Sequence, residues 1–430
     1  MKLTREQGGC EVKYTLMILR RHFRVSTAFA TCLAAGSLLT SCTIGPADDS
    51  FEVRTPDSPS SSAPPVPVSS DHEAQNGAAE SVAPTFTEAS VTIRSVGDIL
   101  IHSEVYTDAA ANASTNGGTA AASGYDFTSM LAPVAEYLRN ADITTANMEV
   151  PVAGPAFELS GYPAFNAPPQ IIDALSGAGV DIVNNATNHS MDRGTRGVVA
   201  STNNMRERGM LYMGSFASPQ DRATPRIIER NGLKVGFLAY SYGTNGIPVP
   251  AGEEYAVNLI DPAVMRADIA ALRDDVDILI VNLHAGEEYE QLPVQAQIDA
   301  ADTAREAGAD FVLGGHPHVL QPFQRYPDGE PGLGVWFSHA NFLHGQYDER
   351  TKYGGIGEYT ITRRADGTLS LDRIRFMPTY TVGMPHTPDY KVIPLADAGS
   401  LGWVDVNQSR ADITAHMNTY TPVEVVDYLD

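Results

Sequence analysis

From about residue 90 onward, short apolar runs alternate with segments of helical periodicity, and run after run ends in Asp, Asn, Glu or His. Such alternation demands βαβ crossovers and layered α/β packing. Strands are expected at Val91–Val96, Ile143–Ala146, Val180–Val183, Lys234–Tyr240, Asp277–Leu283 and Asp310–Leu313. Helices are expected at Phe127–Asn140, Gln170–Ala178, Thr195–Arg208, Pro262–Arg273 and Pro293–Ala307, several of them stopped by a glycine. Further strands, Val319–Tyr326, Gly334–Phe337 and Tyr359–Thr362, imply a second sheet and hence an α/β sandwich. The domain is placed at residues 89–380, and residues 381–430 are read as a C-terminal extension of short elements packed on it.

The N-terminal part reads as an address. Arg20, Arg21 and Arg24 precede a small apolar stretch, Val25 to Leu39, which has the length of a signal-peptide core. It closes in Leu39-Thr40-Ser41-Cys42, which looks like a lipobox with Cys42 as the lipidated residue; residues 1–42 are the expected leader, starting at Met1 or Met17. An ordinary secretory signal is the alternative. Residues 43–88, rich in Ser, Pro, Ala and acids, hold too little apolar surface to offset ordering entropy and are read as a disordered tether. The expected location is therefore outside the cytoplasm, anchored to the membrane by lipid.

Charge and cysteine usage narrow the chemistry. Lys and Arg total 29 against 52 Asp and Glu, so the formal charge is 29 − 52 = −23. That argues against a nucleic-acid partner, which needs a basic footprint. All three cysteines lie in the first 42 residues, so the folded part has neither a disulfide framework nor a thiolate zinc site.

The residues that carry chemistry follow the strands, where open α/β sheets bind their ligands. They are Asp98 and His102, then Asn147 and Glu149, then Asn188 and His189, then His284, and finally His316 and His318 in Gly314-Gly315-His316-Pro317-His318. Singly, each has an ordinary explanation: Asp98 as a helix cap, His284 as a hydrogen-bonded strand end, Asn188 as a turn residue. Together, carboxylates, an amide and imidazoles at successive strand ends suit Mn, Fe or Zn rather than Ca.

The segments Val96-Gly97-Asp98-Ile99-Leu100-Ile101-His102, Asn147-Met148-Glu149, Asn184 to Gly194, Asn282 to Tyr289 and Gly314 to Gln321 resemble the CapA family. Proteins of that family take part in making, exporting or anchoring poly-γ-glutamate capsule. Their fold is similar to calcineurin-like metallophosphoesterases: an α/β sandwich with two central mixed sheets flanked by helices. The resemblance implies two divalent metal ions. Asp98 would bind the first, Glu149 would bridge, Asn188, His284 and His316 would bind the second, and His318 would complete the first. His189 would be the general acid. His102, Asn147 and Asn341 are further candidates for metal or substrate. Two departures stand out: the phosphoesterase Asp-x-His becomes Asp98-x-x-x-His102, and the family's Ser-Leu-Gly-Asn-Phe run reads Ser338-His339-Ala340-Asn341-Phe342.

The reaction implied is hydrolysis of a phosphoester or of a γ-linked amide in an anionic polymer, and for the latter metals or a local basic patch, with Arg193, Arg196 and Lys352 as candidates, would have to offset the repulsion of the acidic surface. The expected partners are that substrate, the membrane through its lipid anchor, and a membrane-bound polymer synthase complex. The alternatives are a non-catalytic polymer-binding accessory protein and a secreted phosphodiesterase unrelated to capsule.

Overall fold

The computed structural model describes residues 86–430. The expected leader with Cys42, and residues 43–85 of the expected tether, lie outside the described residues. Among the described residues no helix is long and apolar enough to cross a membrane.

In chain order the strands are β1 (Ala89–Leu100), β2 (Ile143–Met148), β3 (Ile182–Asn184) and β4 (Leu211–Met213), then β5 (Ile227–Arg230), β6 (Leu233–Ser241), β7 (Ile278–His284), β8 (Phe311–Gly315), β9 (Leu320–Arg325) and β10 (Gly334–His339). The chain then returns through β11 (Asn341–His344), β12 (Tyr353–Arg363), β13 (Leu369–Val382), β14 (Lys391–Pro394) and β15 (Glu424–Val425). One sheet runs β14-β13-β12-β1-β2-β3-β4, with β11 joined to β1 and β15 to β13; the other runs β5-β6-β7-β8-β10-β9. Both are mixed. β1 to β4 are parallel neighbours and β12 is antiparallel to β1, while β6, β7, β8 and β10 are parallel and β9 is antiparallel to β10. This is the sandwich of two mixed sheets flanked by helices.

β7 shows why its sequence is a continuous apolar run. All seven residues of Ile278–His284 are buried. Ile278 and Ile280 join the core between the sheets with Ile93, Ile143, Phe237 and Phe311, whereas Leu279, Val281 and Leu283 pack against Met265, Ile269, Ala300 and Ala304 of the outer helices. A strand covered on both faces needs apolar residues at every position. On the far side of the first sheet, Ile99 and Met148 meet Leu131, Leu138, Ile171 and Leu175.

Three elements differ from expectation. The helix expected over Phe127–Asn140 is two short turns, Thr128–Leu131 and Ala135–Arg139. Pro133 lies between them, and a proline removes a helical N–H donor and crowds the preceding turn. A 14-residue helix, Ser103–Asn116, follows β1; its Ser, Thr, Asn and Asp content hides the periodicity. The C-terminal residues contain a 12-residue helix, Val406–Met417, rather than only short elements.

The inward-facing residues form tiers. Ile93 is level with Ile143 on one sheet, as are Phe237, Ile280 and Phe311 on the other. One step up come Ser95, Thr145 and Ile182, opposite the row Ala239, Asn282 and Leu313. The next step holds Asp98, Asn147 and Asn184, opposite Ser241, His284 and Gly315. The core therefore grades from hydrocarbon to small polar groups to candidate ligands along the strands.

Lys352, expected in a substrate-facing patch, is instead 1% exposed and its Nζ makes no hydrogen bond. Burial pulls its pKa down from 10.5 to about 8. A lysine so shifted binds fewer protons when folded than when unfolded, so it opposes folding below pH 8 and stops doing so as the pH climbs to the unfolded value. Lys352→Met is expected to stabilise the protein at pH 7 by on the order of 2 kcal/mol, with the advantage shrinking as the pH rises above about 8. Denaturant unfolding of both proteins across that range checks this; a pH-independent difference would contradict it.

Candidate metal centre

Asp98 is fixed by a close approach of backbones. The Ala340 carbonyl accepts the Asp98 N–H at 2.9 Å, and a Cβ on Gly97 would lie 1.7 Å from that oxygen. Ala340 reaches this position with a φ of 61°, in the left-handed region. The Ala340 departure from the family run thus falls where a glycine would be the easier residue. His339, the other departure, stacks on Trp336 at 4.6 Å and places Nε2 2.9 Å from Ser95 Oγ, in the tier beneath the site.

Around Asp98 the structure brings six expected residues together. The Asp98 carboxylate accepts from Asn147 Nδ2 at 2.6 Å and lies 3.1 Å from His318 Nδ1. Glu149 is fully buried, with Oε1 3.7 Å from His284 Nε2 and Oε2 3.7 Å from His318 Nδ1. His284 Nε2 is 3.0 Å from Asn188 Oδ1. The His316 ring lies 4.9 Å from that of His284 and 5.9 Å from that of His318. Gly314 and Gly315 make this packing possible, because a Cβ on Gly314 would meet Phe337 O at 2.0 Å and one on Gly315 would meet Asn147 Nδ2 and Asp98 Oδ1 at 2.9 Å.

The remaining candidates take other places. Asn147 gives both amide hydrogens away, to Asp98 and to His284 Nδ1 at 3.0 Å, and its oxygen accepts from Asn184 at 2.7 Å. It thus orients Asp98 and His284 from behind, with one lone pair of its oxygen taken by Asn184. Asn341 Oδ1 lies 3.0 Å from His318 Nδ1, and its amide donates to Gln346. His102 holds its Nδ1 against the Leu100 carbonyl at 2.9 Å and its ring against Phe165, outside the ligand group. Its burial lowers its pKa to about 4. Of the three basic candidates, Arg193 directs its guanidinium to the carbonyls of Phe157, Asp192, Glu158 and Ala164 and to Ser160, the exposed Arg196 lies over the Phe157 ring at 5.8 Å, and Lys352 is buried.

His189 stands beside the group, its ring edge on Phe165 at 4.7 Å. Its Nδ1 lies 2.8 Å from Asp192 Oδ2, which also accepts the Phe165 N–H at 2.6 Å. This carboxylate fixes the tautomer, with the proton on Nδ1 and Nε2 free. Asp192 was not singled out from the sequence, although the spacing His189-Ser190-Met191-Asp192 is that of one turn.

The electrostatics follow from burial. Burial, and after it the neighbouring Asp98, pushes the Glu149 carboxyl well above the usual range. Burial lowers His284 strongly, with His316 adding to it, and lowers His316 to about 3. Burial also works against the charged form of His318, but Glu149 and then Asp98 outweigh it and push that imidazole up to about 9. Both the Glu149 and the His318 shifts run upward, which marks a site whose buried negative charge calls for protons or for a cation in their place.

The donor set fits a divalent metal. Both Glu149 oxygens and His316 Nδ1 are buried without a hydrogen bond. Glu149, His316 and His318 offer ligand atoms that all lie within 4.8 Å of one another. Buried polar atoms almost always have partners, so three without one mark a place built for something else. Mixed carboxylate oxygen and imidazole nitrogen match a borderline transition ion. Glu149→Gln is expected to leave the melting temperature of chelator-treated protein unchanged or higher, while abolishing the rise that manganese produces in the wild type. Scanning calorimetry with and without the ion reads both; a full manganese response in the variant would remove Glu149 from the ligand set.

The sequence pattern of the bacterial capsule synthesis protein PGA_cap matches residues 92–346. The chain is 29% identical to the capsule biosynthesis protein CapA of Bacillus anthracis over 249 residues, 56% of this chain and 59% of that protein. It is 26% identical to the PGA biosynthesis protein CapA of Bacillus subtilis over 211 residues, 47% of this chain and 53% of that one. The chain thus spans less than two thirds of either relative. Similar solved structures include a NAD nucleotidase of Haemophilus influenzae, 12% identical with a TM-score of 0.40 over 80% of this chain and 58% of that one. A 5′-nucleotidase precursor of Thermus thermophilus is 15% identical with a TM-score of 0.38, over 67% and 54% of the two chains. At such scores these likenesses add nothing to what the strand order already shows.

Proposed function

Since the chain belongs to the bacterial capsule synthesis protein family, we propose that it works in making or anchoring a poly-γ-glutamate type of polymer, with a hydrolytic metal centre at Glu149, His316 and His318. The observation that carries this reading is the buried, unbonded set of Glu149 oxygens and His316 Nδ1. Asp98, Asn188 and His284 surround it and would complete the ligands, enough for two ions of the Mn, Fe or Zn type. Such an ion polarises a carbonyl or phosphoryl oxygen and supplies a nucleophile from water at neutral pH.

The protein's own groups do the rest. His189, backed by Asp192 at 2.8 Å, is placed to exchange a proton through Nε2 with the leaving group. Asn147 holds Asp98 and His284 at fixed angles from behind. Tyr242 lies over His316 at 4.7 Å and Tyr289 beside His318 at 6.0 Å, and the two half-exposed rings narrow the mouth and shield the imidazoles from solvent. The exposed Glu287, Glu288 and Glu290 lie on the segment that carries Tyr289, which makes that side of the mouth unfavourable to a chain of carboxylates unless bound cations offset it. With Cys42 lipidated, the domain would act at the outer face of the membrane beside a polymer synthase complex.

Two further readings remain distinct: a polymer-binding accessory protein without turnover, and a phosphodiesterase unrelated to capsule. Purified protein with manganese is to be given a γ-glutamyl oligomer and, separately, a generic phosphodiester. Hydrolysis is expected, with His189→Ala lowering kcat by about 10²–10⁴-fold at unchanged metal content. Saturable binding of the oligomer without cleavage of either compound would favour the accessory role. Cleavage of the phosphodiester alone would favour the third reading.

A further inference from the structure

The tier beneath the ligands encloses a small polar cavity of about 10 Å³ between the two sheets. Ser95, Thr145, Asn147, Asn184, Asn282 and His339 are among its walls. One tier lower the same space is filled by Ile93, Ile143, Ile280 and Phe311. A polar chamber in that position has to be satisfied from within. Asn147 and Asn184 spend their amides upward on the ligand tier. Ser95 and His339 share one contact of 2.9 Å. Asn282 offers its N–H only to Met213 Sδ at 3.5 Å, a weak acceptor. Thr145 Oγ1 is buried with no hydrogen bond at all.

A cavity holds a water when it is polar, has room for about one probe sphere and offers two to four partners. This one meets each condition. We propose that it is a water-binding site: one ordered water bonded to Thr145 Oγ1, with Ser95 Oγ and the Asn282 amide as its other partners. Thr145 and Asn147 lie on the same face of β2, two residues apart, and Asn282 stands two residues before His284 on β7. A water joining Thr145 to Asn282 therefore ties the two sheets together directly under Asp98 and His284. Thr145 and Asn282 become positioning residues of the centre, acting through Asn147 rather than on the substrate. That second half rests on the metal reading above; the water itself does not.

Thr145→Val tests the proposal, because valine keeps the shape and loses the hydroxyl. A crystal structure of the wild type is expected to show density within hydrogen-bond distance of Thr145 Oγ1, absent in the variant. The metal-free variant is expected to melt about 2 °C lower, and manganese affinity by titration calorimetry is expected to fall about tenfold. Thr145→Ser, which keeps the hydroxyl, is expected to retain both. A wild-type cavity without density, together with a valine variant that melts higher, would overturn the proposal, since removing a dry, unbonded hydroxyl relieves the fold. Wild-type protein that binds no manganese would overturn the metal reading alone, because density and the direction of the melting shift decide the water independently.

Discussion

Two carboxylates, Asp98 and Glu149, sit where almost no water reaches them, within 4 Å of the same imidazole. Burying an anion without compensation costs several kcal/mol even after relaxation. Everything near the site answers that cost. His318 lies between the two acids, whose charge favours its protonated form, and Asn147 donates to Asp98. Glu149 receives no hydrogen bond, so its compensation is left to a proton or to a bound cation. The hydrocarbon core between the sheets serves this arrangement by fixing the height at which each strand ends.

The backbone is forced where the ligands are. His316 and His318 adopt φ values of 100° and 60°, and Ala340, which holds Asp98, adopts 61°. Residues with a Cβ pay for such conformations, typically about 1–3 kcal/mol each. Glycines take the positions where main chains nearly touch, Gly97 against Ala340 and Gly314 against Phe337. The sandwich must supply enough packing elsewhere to keep three strained residues in one small volume.

The strand ends were legible because β7 and β8 are largely apolar and buried on both faces, and because polar residues of ligand type follow or close β1, β2, β3, β7 and β8 in turn. Order and spacing identified Asp98, Glu149, Asn188, His284, His316 and His318, and the fold gathers them. The outer parts were less legible. Pro133 divides a stretch whose apolar spacing reads as one helix, and polar residues in Ser103–Asn116 and Val406–Met417 weaken their period. Asn147 and Asn341 read only as candidates for metal or substrate because residue type shows that an amide is present, whereas the direction of its oxygen is a tertiary fact. Asp192 was missed for a similar reason, since a carboxylate one turn beyond a histidine is common on any surface. Lys352 shows the converse, a charged residue that composition assigns to solvent and packing assigns to the interior.

The contact between Asp98 and His318 joins positions 220 residues apart. No early fragment of the chain can assemble the coordinating group, because Asp98 is not held until β11 has docked beside β1. The group is therefore complete only once both sheets have closed. Whatever the group is to hold, it is a product of the finished fold, and anything that binds it adds its affinity to the stability of the closed sandwich.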